Sequence, residues 1–95
     1  MLIEVGQKYI NAVGEVIPIF RKIEGLYFPF EDDIERAYKE NGKFTTIPNH
    51  NHRWDLICLV DENLLKQYEA NDITQKEFIA KHIELYTGEK YDTNL

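Results

Sequence analysis

The chain has very little cysteine. Cys58 is its only one in 95 residues, so it can form neither an internal disulfide nor a multi-thiolate metal site. It lies inside the apolar run Leu56-Ile57-Cys58-Leu59-Val60, which marks a buried structural thiol rather than a nucleophile. Long hydrophobic runs are missing too: none approaches the ~18 residues that a membrane-spanning helix needs. The start Met1-Leu2-Ile3-Glu4 turns polar too soon for a signal peptide, so a cytoplasmic protein is expected. Basic residues are in deficit, with 11 Lys and Arg against 17 Asp and Glu and a net charge of −6. Non-specific binding to phosphate backbones needs clustered cations and is set aside. Gly-rich phosphate loops, nucleophile elbows and zinc-finger spacings do not occur, and the expectation is a protein that is not an enzyme.

The material for one small core is present. Hydrophobic residues make up 43% and aromatics 13%, with six Tyr, five Phe and one Trp. A chain of this size buries roughly 60–65% of the surface exposed when unfolded. We read 1–95 as a single domain: a β portion over 1–60, a helical portion over 61–88 and a frayed tail over 89–95. The negative excess is denser in the second part, where residues 61–95 hold eight acids and four bases.

The β portion is organised around a hairpin from Glu35 to Val60, centred on Asn41-Gly42. Asn-Gly is the strongest two-residue signal for a type I′ turn, in which both residues take positive φ. Earlier strands are expected over Gln7–Ala12 and Glu15–Ile23, separated by a turn at Val13-Gly14. Pro18 lacks an amide hydrogen, which points to an edge strand or a bulge. Leu26–Phe30 reads as a third, irregular strand. Glu31–Tyr38 reads as a loop leading into a strand, with a short helix as the alternative. Arg53–Val60 is the most apolar run and is expected to be the central strand, with Trp54, Leu56, Cys58 and Val60 on one face.

Helix follows strand. Asp61 is a suitable N-cap for Glu62–Ala70, whose apolar stripe is Leu64, Leu65 and Tyr68. Thr74 and Glu77 have the spacing of a capping box. A second helix then runs to about Tyr86, with Phe78, Ile79, Ile83 and Tyr86 on its stripe, and Gly88 ends it. Strands followed by helices give an α+β fold: a small antiparallel sheet or SH3-like partial barrel followed by two helices.

Three clusters carry potential chemistry. His50 and His52, with Asp55 close behind, are weak candidates for a metal site; a solvated loop is the reading adopted. The run Glu31-Asp32-Asp33 with Glu35 could pair carboxylates for acid–base work, but reads as a solvated charged turn. Aromatic rings interleave with cations along the β portion, and such surfaces stack bases or hold nucleotides. From that set Tyr27, Phe28, Arg36, Tyr38, Arg53 and Trp54 are the candidate binding residues. No cofactor is expected.

The series Gly6-Gln7-Lys8-Tyr9, an Ile/Val strand, Tyr38-Lys39-Glu40-Asn41-Gly42-Lys43-Phe44 and Asp55-Leu56-Ile57 resembles small uncharacterised accessory proteins of bacteriophages and prophages. In those proteins a Tyr…Asn-Gly-Arg/Lys-aromatic hairpin precedes an Asp-Leu-Val strand. The resemblance covers roughly residues 6–60; the helices lie outside it, and the loop Pro48–His52 departs from it. It implies a viral origin, action in the host cell cytoplasm, and a non-enzymatic role in binding a host protein, as a counter-defence inhibitor. The alternatives are a protein that sequesters a nucleotide-like small molecule, as a homo-oligomer, and an acidic mimic of nucleic acid.

Overall fold

A computed structural model of the chain describes residues 2–44 and 54–87. Five strands are followed by two helices: β1 (Lys8–Asn11), β2 (Val16–Lys22), β3 (Phe30–Asp32), β4 (Ala37–Tyr38), β5 (Leu56–Leu59), α1 (Glu62–Glu69) and α2 (Gln75–Thr87). The strands form one antiparallel sheet in the order β4-β3-β2-β1-β5. The sheet curls into a half-barrel with the helices to one side, so the α+β expectation holds.

Three successive turns use one design. Asn11 N–H donates to Glu15 O at 3.2 Å and Gly14 N–H to Asn11 O at 3.1 Å. The same pair of bonds joins Asp32 to Arg36 and Glu35 to Asp32, and again joins Lys39 to Lys43 and Gly42 to Lys39. The residue closing each loop has positive φ: Gly14 at 85°, Glu35 at 67° and Gly42 at 88°. This is a type I turn closed by one residue in the left-handed region. It replaces the two-residue type I′ turn expected at Asn41-Gly42, where Gly42 alone has positive φ. Glu40 joins the loop, and Asn41 Oδ1 accepts from Lys43 N–H at 3.0 Å.

Two strands sit elsewhere in the sheet than expected. Pro18 lies in β2, the middle strand, so of its two readings the edge strand fails and the bulge holds, since β2 carries one at Phe20. The β2–β3 ladder begins at Ile19↔Asp32, one residue later. Ile19 N–H points to β1, where it donates to Gln7 O at 3.0 Å, so position 18 faces the other way, past the end of β3. The missing amide therefore removes no ladder bond. The apolar run ends in β5, which is the last strand of the sheet rather than its centre. Its hydrophobicity reflects cover of Leu56 by the barrel interior and of Cys58 by the helices, while Leu59 stays half exposed.

Bulges explain two further departures. One step on β1, from Ile10 to Asn11, spans two on β5, from Cys58 to Leu56, so Ile57 is the extra residue. Leu56 and Cys58 consequently fall into different clusters instead of sharing a face. Phe20 is the extra residue of β2 opposite β3 and stands 64% exposed. Leu26–Phe28 forms no strand; β3 begins at Phe30. Glu31–Tyr38 is strand, turn and strand: the helix alternative fails and the expected strand is β4, but Glu31 and Asp32 belong to β3 where a loop was expected.

Inside the half-barrel, Ile3, Tyr9, Ile17, Ile19, Phe30, Tyr38 and Leu56 form one core, with Phe44 packed against it. Under the helices, Ile10, Cys58, Leu64 and Phe78 form the other. Asp61 Oδ1 caps α1 through Leu64 N–H at 2.9 Å. Thr74 and Glu77 exchange two bonds of 3.1 Å, the capping box expected. Tyr86 leaves the expected stripe and is 55% exposed, because it overlies an open groove beside Leu59; His82 and Ala80 are buried in its stead. Two backbone bonds of 2.9 Å close the curl, from Ile3 N–H to Glu40 O and from Leu56 N–H to Gly42 O.

Candidate functional site

The most organised polar cluster hangs on Asp32, at the end of β3. Its side chain is fully buried beside Arg36. Oδ1 accepts from Ile34 N–H at 3.0 Å and Arg36 N–H at 2.9 Å; Oδ2 accepts from Arg36 Nε at 2.7 Å and from the Tyr38 hydroxyl at 3.0 Å. All the lone-pair directions of the carboxylate are engaged, which is what lets a charge lie buried. Arg36 continues to Glu15 Oε1 at 3.6 Å, which also accepts from Asn11 Nδ2 at 2.9 Å. Burial and then the nearby Asp32 charge push the Tyr38 phenol well above its ordinary value. Burial opposes the Arg36 charge, but the bond to Asp32 and the negative charges around the guanidinium together outweigh it and raise Arg36 above its ordinary value.

This chain fixes the base of the turn Asp33-Ile34-Glu35 and leaves its tip outside. Ile34 is 64% exposed, and Asp33 and Glu35 are exposed beside it. Neither carboxylate is ion-paired among the described residues. Glu35 holds positive φ without glycine's freedom, a backbone strain that other parts of the fold must offset.

The residues singled out from sequence separate around β3. At its start, Tyr27 is 68% exposed and meets Phe28 edge-on, with ring centroids 5.3 Å apart. Lys39 Nζ lies 5.2 Å from the Tyr27 centroid, and Lys22 Nζ 5.4 Å from that of Phe30. At its far end is Arg36. Tyr38 is fully buried, so its ring belongs to the core and stacks on nothing from outside. Trp54 is half-buried, and Arg53 lies outside the described residues.

The weak metal candidates His50 and His52 also lie outside the described residues. Among those described, no three His, Cys, Asp or Glu gather as a metal site would require. Asp55 is buried, not solvated; it accepts from Phe44 N–H at 2.8 Å and lies 3.6 Å from Lys43 Nζ. The acidic run is likewise not a uniformly solvated turn. Asp32 points inward, Glu31 pairs with Arg21 at 2.9 Å, and Asp33 and Glu35 face solvent.

A third feature had no signal in the sequence. Leu2, Tyr9, Cys58, Leu59, Leu85 and Tyr86 line an apolar groove of about 300 Å³ between the N-terminal segment, β5 and α2. Comparison with protein-family models, curated proteins and solved structures finds no match to this chain. No helix among the described residues is long and apolar enough to cross a membrane.

Sequence reasoning missed Asp32 and Asn11 as anchors. The available signal was their place at the head of a turn: in Asn11-x-x-Gly14-Glu15 and Asp32-x-x-Glu35-Arg36, an Asx side chain can bond the amides two and four residues on.

Proposed function

We propose that this protein is a non-enzymatic accessory protein, of the phage kind that its β portion resembles, which binds a host protein in the host cytoplasm and inhibits it as a counter-defence factor. The observation that supports this reading is the Asp33-Ile34-Glu35 tip: an apolar side chain held out between two unpaired carboxylates on a base fixed by Asp32. A pre-ordered protrusion loses little conformational freedom on binding, which favours affinity. Its complement is an apolar socket with a basic rim. The test is a pull-down from host lysate with the native chain and with Ile34→Arg. A stoichiometric partner held by the first and lost by the second is expected; no stoichiometric partner for the native chain counts against the reading.

A second reading rests on the other end of β3. Tyr27, Phe28 and Lys39 set an exposed ring beside a cation, the elements that hold a nucleotide-like ligand. Thermal shift against a nucleotide panel separates the two, since a ligand at 100 times its dissociation constant adds about 2.7 kcal/mol. A flat response removes this reading. The acidic nucleic-acid mimic draws on the net charge of −6, but only Asp33 and Glu35 of the acidic run stand unpaired among the described residues.

A further inference from the structure

We infer that the groove between β5 and α2 is a self-association surface, and that its occupant is a second copy of this chain related by a two-fold axis. The surface is separate from the Ile34 tip and does not depend on the function proposed for it. On its outer side β5 meets no other described strand. Val60 N–H donates to Lys8 O of β1 at 3.0 Å, so the alternation of the strand turns Leu59 N–H outward. An unpaired strand edge is a template for another strand. In an isologous contact the same edge serves both copies.

The side chains around that edge have the composition of an interface centre. Leu2 is 73% exposed, Leu59 52%, Leu85 64% and Tyr86 55%. At roughly 150–200 Å² per fully exposed residue, these fractions leave on the order of 450 Å² of exposed surface per copy over the groove and its flanks. Exposed apolar residues grouped in this way are a common feature of interaction sites. Doubled, and with a polar rim added, the area reaches the roughly 1,000 Å² of a specific contact. Leu59, Leu85 and Tyr86 line the same groove in each copy, so a two-fold contact sets one patch against its own equivalent.

Charge favours this face over others. Each chain carries −6, so two copies repel unless they meet where acids are sparse. The strand Leu56–Leu59 holds no charged residue. A neighbouring depression that shares Leu85 is lined by Asp61, Lys81 and Glu84, so charges of both signs lie at the rim rather than on the strand itself.

The test is the mass of the full chain in solution by light scattering, from low micromolar to near-millimolar concentration. The native chain is expected to rise from 11.3 kDa to twice that value. Leu59→Lys and Leu85→Glu are expected to remain at the single mass with unchanged far-UV circular dichroism. Leu85 is an exposed helix position, so it decides the matter if Leu59→Lys unfolds. Hydrogen exchange at the Leu59 amide should slow as the native dimer forms. A native chain that stays at the single mass throughout overturns the inference and leaves the groove to another segment or another protein. A dimer that survives Leu85→Glu overturns it as well, by placing the contact on a different face.

Discussion

His82 on α2 holds the backbone amide of Asp61, the residue that caps α1. Its Nε2 accepts from Asp61 N–H at 3.0 Å, while Nδ1 lies 2.7 Å from Phe78 O. A carbonyl can only accept, so Nδ1 carries the proton and Nε2 the lone pair; the bonding assigns one neutral tautomer. The ring is 1% exposed and meets Phe78 edge-on at 4.5 Å. One side chain therefore ties the start of α1 to the middle of α2.

Replacing it should loosen the helical layer as a whole. His82→Ala removes a packed ring and leaves the Asp61 amide without its partner, for an expected loss of about 3 kcal/mol. Urea unfolding followed by circular dichroism measures this. A change under 1 kcal/mol would show that the bond contributes little.

The Asp32 cluster predicts a comparable loss at the other side of the molecule. Asp32→Ala leaves Arg36 and the Tyr38 hydroxyl without their buried acceptor, and breaking a buried pair in this way costs about 3–5 kcal/mol. Arg36→Met keeps the apolar stem, so it tests whether the charge or the packing matters; the charge account requires that it, too, destabilise strongly.

The repeated turn gives two predictions of opposite sign. Glu35→Gly relieves a side chain at φ 67° and should stabilise by about 0.5–1 kcal/mol. Gly14→Ala should destabilise by at least about 1 kcal/mol, because positive φ disfavours any side chain there. An added Cβ would also meet Gln75 Cγ at 3.1 Å and Ile79 Cδ1 at 3.2 Å, and Gln75 Nε2 donates to Val13 O at 2.6 Å. Thermal melts of both variants check the pair, and equal shifts would refute the shared geometry.

Cys58 gives a pH prediction. Burial pushes its thiol up to about 11, so the fold favours the neutral form. For a raised acid the contribution is complete below the unfolded value of about 8.5 and is lost as the pH rises through the folded one. The stability difference between the native chain and Cys58→Ala should thus be constant up to about pH 8.5 and narrow toward pH 11. Alkylation at pH 8 should be slow in buffer and fast in urea.

Features set by near neighbours in the chain were legible beforehand. The Asp61 cap, the Thr74–Glu77 box and the strand-then-helix order each depend on a few adjacent residues, and each was found. The centrality of β5 was misread because an apolar run signals cover, and cover here comes from helices as well as strands. Pro18 announced the bulge of β2 but not the strand's place in the sheet: its tolerance there depends on where β3 stops, which residue 18 cannot announce. At the site, Tyr27 was legible as one of the rings interleaved with cations, and it stands exposed beside Lys39. The burial of Tyr38 and Asp32 was not, because it follows from a carboxylate and a phenol meeting only once β3 and β4 pair.

The closure of the curl at the turn Lys39–Lys43 also bears on how the chain reaches this shape. Ile3 and Leu56 come from far apart in sequence, and both donate to this turn, at Glu40 O and Gly42 O. The three tight turns need only near neighbours and can form early, whereas this seam waits for both distant segments to arrive. It therefore forms late, together with the equally long-range pairing of β1 with β5. The amides of Ile3 and Leu56 should exchange with solvent as one unit, ahead of Tyr9 and Ile10.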